Sequence, residues 1–531
     1  MAPITSWALS ALLFTSTALA APNEKRTVNP TVSIDAGRIV GTTTTLPSAT
    51  AAVNQFLGIP YAAPPVRFEK SVKPTRWLLP KTVQKRGKSC IQQFNYPAES
   101  REFTKAVFSN PPPEESEDCL FLNVFAPSSK APEGGFPVMF WIYGGALQFG
   151  NAGQPAYDGS YLAGFEDVIV VSFNYRTNVF GFPASPELAL TNRNLGFYDQ
   201  RLALSWVQTN IAQFGGNPKK VTIFGESAGA LSVDALITTS PSNPPFRAGI
   251  LQSGQASLAK FIGRTNSTTA WLALAEKVGC NSGSLLACLK KVDPLKIKDT
   301  IERNQLGFNP VADEITFASD PAALRAAKKI ANVPIMVGSN ANEGRVFNVG
   351  QTNLTAYLQE TFQVPALINA IRAAYPLGTP GLETEYDVIS QVFTDLVFTC
   401  PASGNAESSR AAGYDTWRYF YTPTFNNINP ALALMGIDLK AWHSAEIPMA
   451  FGTYPRAGVT AQQEALSRYM RGAWASFARN PAEGPGWNKL GTYNGTDLGV
   501  LGLNGSGGVT VTPKTVADAR CALFAPIYAT L

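Results

Sequence analysis

The chain is poor in histidine, since its 531 residues contain only His443. A metal centre built from several histidines and a relay between two histidines are therefore excluded. Charged residues are also scarce, at 15% of the chain, against about 25% in average globular proteins. The net charge of +5 forms no basic cluster, which disfavours nucleic-acid binding. A hydrophobic content of 45% is too high for a disordered protein.

Apolar runs long enough to cross a membrane are missing as well. The longest run, Trp7–Ala20, falls short of the about 20 residues that a transmembrane helix needs. It ends in Ala18-Leu19-Ala20, and small residues in this arrangement are typical of a secretory signal peptide. We therefore expect residues 1–20 to be a signal peptide and residues 21–531 to form one secreted, extracellular domain. The alternative is a buried N-terminal helix.

The six cysteines predict disulfides if the chain is secreted, although their number alone leaves the pairing open. No C-x-x-C spacing occurs, which argues against zinc and redox sites. Cys280 and Cys288 are near enough in sequence to close a small loop. The other candidate pairs are Cys90 with Cys119 and Cys400 with Cys521. Four glycosylation sequons agree with a secreted glycoprotein, at Asn266, Asn353, Asn494 and Asn504.

Short apolar runs alternate with helical patterns along the chain. Leu195–Phe214 and Gln462–Arg479 show helical periodicity. The apolar runs are nearly continuous, which suits strands buried on both faces of a parallel sheet. This alternation predicts an α/β fold with one large, mostly parallel sheet, flanking helices and long insertions. The predicted strands are Pro137–Tyr143, Val168–Tyr175, Val221–Phe224, Gly249–Gln252 and Pro334–Val337.

A G-x-S-x-G pattern is the strongest local indication of chemistry. Gly225-Glu226-Ser227-Ala228-Gly229 follows a predicted strand and precedes helical sequence. A sharp turn from strand to helix brings backbones together, so both outer positions require glycine and the serine hydroxyl is presented. The pattern predicts Ser227 as a nucleophile. The alternative is an ordinary serine in a glycine-rich turn.

A serine nucleophile needs a base, and His443 is the only imidazole in the chain. Because the expected order is serine, acid, histidine, the acid lies between Ser227 and His443. Glu343 stands out because it lies on a loop after a predicted strand, at the sheet edge where active sites form. The other carboxylates in this interval include Asp313, Glu314, Glu383, Glu385, Asp387 and Asp395.

An oxyanion needs preorganised N–H donors. Gly144-Gly145-Ala146 follows a predicted strand, and glycine lets the backbone approach a substrate closely. Gly145, Ala146 and Ala228 would together supply three donors. The alternative is an ordinary Gly-Gly turn.

Together these residues resemble the type-B carboxylesterase/lipase family, which includes cholinesterases and fungal lipases. Phe224–Ala230 is similar to the serine signature of that family, and Glu117–Val124 is similar to its second signature. The resemblance spans roughly residues 30–525. Further similar segments occur in the same order, at Gly58–Ala62, Asn194–Val207, Asn342–Gly344 and His443–Gly452.

The resemblance implies an α/β-hydrolase with Ser227, Glu343 and His443 as its triad, and with no metal or organic cofactor. It also implies the disulfides Cys90–Cys119, Cys280–Cys288 and Cys400–Cys521, and a salt bridge between Arg67 and Glu117. Glu226, Ser253 and Asp395 match polar residues near the triad. Two features depart from the family: Ala146 replaces a common glycine, and the stretch Pro64–Phe68 is short.

The expected function is hydrolysis of small-molecule or lipid esters through an acyl-enzyme on Ser227. One alternative is a lipase for long-chain acylglycerols or sterol esters, with a lid in the loop between Cys90 and Cys119. That loop contains Phe94, Tyr96, Phe103, Val107 and Phe108. An alternative of another class is a catalytically silent adhesion or binding protein on the same fold. Relatives of that kind have lost a triad residue, whereas all three are present here.

Overall fold

The computed structural model describes residues 29–260 and 267–530. The predicted signal peptide and Asn266 lie outside these residues. In chain order the strands are β1 (Thr31–Ile34), β2 (Gly37–Val40), β3 (Thr42–Thr44), β4 (Val53–Pro60), β5 (Lys81–Thr82), β6 (Phe121–Pro127), β7 (Phe136–Ile142), β8 (Ile169–Phe173), β9 (Gly216–Glu226), β10 (Ala248–Gln252), β11 (Ile335–Asn340), β12 (Thr416–Tyr421), β13 (Thr496–Leu501) and β14 (Val509–Pro513).

The α-helices lie between and beyond these strands. They are α1 (Ala98–Phe108), α2 (Ser160–Glu166), α3 (Asn178–Gly181), α4 (Leu195–Asn210), α5 (Ala228–Thr238), α6 (Ser267–Val278), α7 (Leu285–Leu289), α8 (Pro294–Arg303), α9 (Pro321–Ala326), α10 (Leu354–Phe362), α11 (Pro365–Ala374), α12 (Glu385–Thr394), α13 (Cys400–Ala411), α14 (Pro430–Met435), α15 (Ile447–Phe451), α16 (Ala461–Arg479), α17 (Thr515–Asp518) and α18 (Ala525–Thr530). Within the described ranges, none combines the length and apolarity needed to cross a bilayer.

One large sheet dominates the described part of the chain. Its 11 strands follow the order β14-β13-β12-β11-β10-β9-β7-β8-β6-β4-β3. All neighbours from β13 to β8 are parallel, and the outer pairs are antiparallel. The predicted α/β fold with a mostly parallel sheet is therefore confirmed. Every residue of β7 and β8 is buried, as their continuous apolar sequences require.

The predicted boundaries hold to within a few residues, with two differences. β9 begins at Gly216, five residues before the apolar run Val221–Phe224. The predicted helix Leu195–Phe214 becomes α4 and a 3-10 turn over Ile211–Phe214. Gly215 ends this turn with a φ of 84°, a left-handed conformation that glycine adopts without steric cost.

Three disulfides and the ion pair between Arg67 and Glu117 hold the helices and loops outside the sheet together. Cys90–Cys119 closes the loop that contains α1, Cys280–Cys288 links α7 to the end of α6, and Cys400–Cys521 holds the C-terminal segment against α13. Arg67 binds both carboxylate oxygens of Glu117, at 2.7 and 2.5 Å. The short Pro64–Phe68 stretch therefore still forms the salt bridge that the resemblance implied.

We expect Gly229→Ala to destabilise the folded state strongly. A Cβ at this position would lie 1.9 Å from the carbonyl oxygen of Ile142 in β7, so the strand or the helix has to move. The expected cost is at least about 3 kcal/mol of unfolding free energy. Soluble yield and urea unfolding measure it. Gly404→Ala in α13 is the control, because a Cβ there meets no atom within 4 Å; equal stability of the two variants would contradict the packing described.

Candidate active site

The turn between β9 and α5 presents Ser227. Its φ of 57° and ψ of −122° place an L-residue in a strained conformation. Two hydrogen bonds hold the turn: the Ser227 N–H donates to the Gln252 carbonyl, and the Leu231 N–H donates to the Ser227 carbonyl. A Cβ on Gly225 would lie 2.6 Å from the Ile142 carbonyl oxygen, so the glycine requirement of the sequence pattern has a direct steric cause.

Glu343 and His443 lie in contact beyond the carboxyl end of the parallel sheet, near the turn that presents Ser227. Glu343 lies on the loop after β11, is fully buried, and contacts His443 Nδ1 through Oε2 at 2.7 Å. Its other oxygen, Oε1, accepts hydrogen bonds from Ser253 Oγ at 2.5 Å and from the Asn340 N–H at 2.6 Å. These contacts fix the carboxylate so that it orients the imidazole and favours protonation at Nδ1.

His443 Nε2 faces the end of β9. Its contact there is with Glu226 Oε1, at 3.1 Å, and the same oxygen accepts a hydrogen bond from Ser444 Oγ. Glu226 immediately precedes Ser227, so the imidazole, the carboxyl group and the serine share one small space. Phe347 and Phe398 pack against the imidazole, with ring centroids 5.0 and 4.6 Å away.

Two buried glutamates, Glu226 and Glu343, contact the single histidine, and a third, Glu446, interacts electrostatically with both. Burial raises the pKa of Glu226 to about 8 and that of Glu343 to about 8. Burial likewise raises the pKa of Glu446, which accepts hydrogen bonds from Asn340 and Gln252. The interaction with His443 lowers the pKa of Glu226, whereas the interactions with Glu446 and Glu343 raise it further. The site therefore holds more carboxyl groups than its one imidazole can neutralise.

The loop after β7 passes over Ser227. A Cβ on Gly144 would lie 2.9 Å from Ser227 Cβ. Gly145 and Ala146 have φ values of 108° and 54°. Ala146 therefore has a left-handed backbone conformation although it carries a Cβ. This conformation costs an L-residue about 1–2 kcal/mol. Ala228 is the first residue of α5, and its N–H belongs to the helix turn that lacks internal partners.

Two cavities meet at Ser227 and Ala146. The larger, of about 640 Å³, extends past Phe103 and Phe149 and includes His443. The smaller, of about 310 Å³, has a mostly apolar lining. Its apolar lining residues include Leu258, Phe393, Leu396, Val397 and Phe398.

The structure separates Asp395 from the other predicted polar residues. Ser253 and Glu226 contact the triad candidates, but the described hydrogen bonds of Asp395 join it to Tyr375 and Gln391. Its assignment as a residue that supports the triad stays a prediction. Asp395 begins a π-helical segment whose later residue, Phe398, packs on the imidazole.

Sequence reasoning missed Glu446 and the two phenylalanines around His443. Glu446 is three residues beyond the histidine, but nothing in the sequence distinguishes it from a surface carboxylate. The described residues contain no group of His, Cys, Asp and Glu side chains arranged to hold a metal ion.

Glu226→Gln is expected to flatten the pH dependence of stability. The pKa of Glu226 is raised from 4.5 to about 8, so the folded state holds a proton that the unfolded state releases between these values. The resulting stabilisation is complete below pH 4.5 and is lost as the pH rises through about 8. Urea unfolding at about pH 5 and about pH 8.5 measures this loss. An identical loss in the variant and the parent would contradict the assignment.

Comparisons with known proteins give a consistent result. The model of the carboxylesterase family matches residues 28–515. A cholinesterase of Mus musculus is 33% identical over 486 residues, covering 84% of this chain and 78% of that protein. A para-nitrobenzyl esterase of Bacillus subtilis (strain 168) is 33% identical, covering 85% and 90%. Carboxylesterase 5A of Felis catus is 34% identical, covering 85% and 86%.

Proposed function

This chain belongs to the carboxylesterase family and is a carboxylic ester hydrolase with an α/β-hydrolase fold, and we propose that Ser227, Glu343 and His443 are its catalytic triad. The observation that carries the assignment is the 2.7 Å contact between Glu343 and the only imidazole of the chain, beside a strained serine. Glu226 and Ser253 are positioning residues in this proposal, because each contacts a triad member.

The proposed reaction has two steps. Ser227 Oγ attacks the ester carbonyl while His443 Nε2 takes its proton, and Glu343 stabilises the imidazolium that forms. The N–H groups of Gly145, Ala146 and Ala228 receive the developing oxyanion. His443 then protonates the leaving alcohol. A water molecule, deprotonated by the same imidazole, then attacks the acyl-enzyme. The bond between the acyl carbon and Ser227 Oγ breaks, His443 returns the proton to Ser227 Oγ, and the acid leaves.

The position of the His443 imidazole indicates which part of the ester each of the two cavities at Ser227 would hold. The leaving alcohol has to reach His443 to receive its proton, and His443 lines the larger cavity. We therefore place the alcohol in the larger cavity and the acyl group in the smaller, apolar one. The substrate class that fits is an ester with an uncharged, hydrophobic acyl group.

A lipase is the second candidate, because apolar side chains stand exposed near the larger cavity. Phe347 and Met435 line that cavity and are 45% and 54% exposed, and Leu434 beside them is 57% exposed. Nitrophenyl esters of increasing acyl length, assayed below and above their solubility limits, distinguish the candidates. Saturation below the limit indicates an esterase, whereas a jump in rate at the limit indicates a lipase.

We also propose that the protein is secreted after removal of residues 1–20, and that residues 21–531 form one domain. The three disulfides support an oxidising compartment. Asn353, Asn494 and Asn504 are exposed, as glycan acceptors must be. Mass spectrometry of protein from the culture medium of a secreting host tests this. A mature N-terminus near residue 21 supports the proposal, and retention of residues 1–20 contradicts it.

A further inference from the structure

A cavity of about 310 Å³ lies between α5, α9, α13 and α18 and contains no triad residue. We call it the α13 cavity. Its polar lining residues, which we call the polar wall, include Asp234, Gln255, Arg325 and Asn405, and its apolar lining residues include Phe317 and Pro401. Small-molecule sites in proteins have this character: concave, largely apolar, and with a few polar groups on one side.

The polar wall is electrically balanced. Arg325 donates a hydrogen bond to Asp234 Oδ1 at 2.5 Å, and both side chains are at least nine-tenths buried. Asp234 Oδ2 accepts hydrogen bonds from the Ala256 N–H and from Asn405 Nδ2. Because each charge already has its partner, this wall does not favour an ionic ligand.

Three polar atoms of this wall lack hydrogen-bond partners among the described residues. They are Gln255 Oε1, Asn405 Oδ1 and Arg325 Nε. A buried polar atom without a partner costs about 1–3 kcal/mol. Two of the three are amide oxygens, which accept hydrogen bonds, and both belong to side chains that line the cavity. A hydroxyl group can donate to one of the amide oxygens and accept from Arg325 Nε, and the apolar body of such a molecule would face Phe317 and Pro401.

Two chain segments contribute lining residues to both the α13 cavity and the smaller cavity at Ser227. Leu258 lines the smaller cavity, and the preceding segment Gln255–Ser257 lines the α13 cavity. Likewise, Val397 and Phe398 line the smaller cavity, whereas Cys400 and Pro401 line the α13 cavity. A ligand in the α13 cavity therefore contacts both segments that shape the acyl pocket.

We propose that the α13 cavity binds a neutral alcohol with an apolar body, and that its occupation changes turnover at Ser227. Ester hydrolysis releases an alcohol, so the α13 cavity would be a second binding site for the alcohol product. The proposed binding does not depend on the catalytic assignment, whereas the proposed effect on turnover rests on it.

Gly404 offers a way to close the cavity without disturbing its walls. It lines the cavity from α13, is exposed, and has no atom within 4 Å of a Cβ position. Gly404→Leu fills the space with a residue that also favours helix. Gly404→Ala is the matched control, since its methyl group leaves most of the cavity open. Thermal unfolding checks that both variants are as stable as the parent.

Titration calorimetry with 2-phenylethanol tests the binding on the full chain. We expect the parent and Gly404→Ala to bind alike, and Gly404→Leu to lose at least about tenfold in affinity at one site, which equals about 1.4 kcal/mol. Equal binding by all three proteins would overturn the proposal. This measurement needs no turnover, so it remains informative if the catalytic assignment fails.

Steady-state hydrolysis of 4-nitrophenyl butyrate with added 2-phenylethanol tests the coupling. We expect the alcohol to change kcat in the parent and in Gly404→Ala, and to change only KM in Gly404→Leu. An alcohol effect confined to KM in all three proteins would show that the alcohol acts only at the active site, and would overturn the coupling.

Discussion

Ser227→Ala is expected to lower kcat for ester hydrolysis by about 10⁶-fold, the loss typical of removing a serine nucleophile from a triad. The methyl group cannot attack the carbonyl, and no acyl-enzyme forms. KM should change little, because both cavities keep their linings. The folded state should gain or lose little, since the serine side chain is small and the backbone bonds of the turn remain. Hydrolysis of 4-nitrophenyl butyrate by purified protein measures the effect.

Ser232→Ala is the matched control for this prediction. Ser232 lies in α5, is buried, and donates a hydrogen bond to the Ala228 carbonyl at 2.8 Å. Its removal disturbs the same helix without touching the nucleophile, so most activity should remain. A Ser227→Ala protein that keeps more than about 1% of the parental kcat would show that another group attacks the ester.

His443→Gln is expected to lower kcat by at least about 10⁴-fold. Glutamine retains polar atoms but accepts no proton from Ser227, and the described site offers only carboxyl groups in its place. With no second histidine in the chain, no neighbouring imidazole can substitute for His443.

Steady-state kinetics on tag-free protein check this second prediction. Single-turnover assays separate a slow acylation step from altered binding, and circular dichroism confirms that the variant is folded. Substantial hydrolysis by folded His443→Gln would mean that a carboxyl group such as Glu226 acts as the base.

The sequence predicted the sheet well because its central strands are buried on both faces. Continuous apolar runs such as Phe136–Ile142 are typical of strands that are buried on both faces of a parallel sheet. The turn at Ser227 was equally predictable, since Gly225 and Gly229 face backbone atoms that exclude any side chain. These constraints act between residues that are adjacent in the chain or forced together by the sheet.

Other features depend on contacts between distant segments. Glu446 joins the site through Asn340 and Gln252, which lie at the ends of two different strands. Asp395 matched a family position, but the π-turn that it begins directs the side chain to Tyr375. No local pattern specifies either outcome, because each is decided by how helices and loops pack above the sheet.

Covalent labelling tests the central claim most directly. The intact protein is treated with phenylmethylsulfonyl fluoride, and the labelled peptide is identified by mass spectrometry, with His443→Gln treated in parallel. We expect one sulfonyl group per chain, attached to Ser227 and formed much more slowly in the variant. Labelling at another residue, or no labelling of the folded parent, would contradict it.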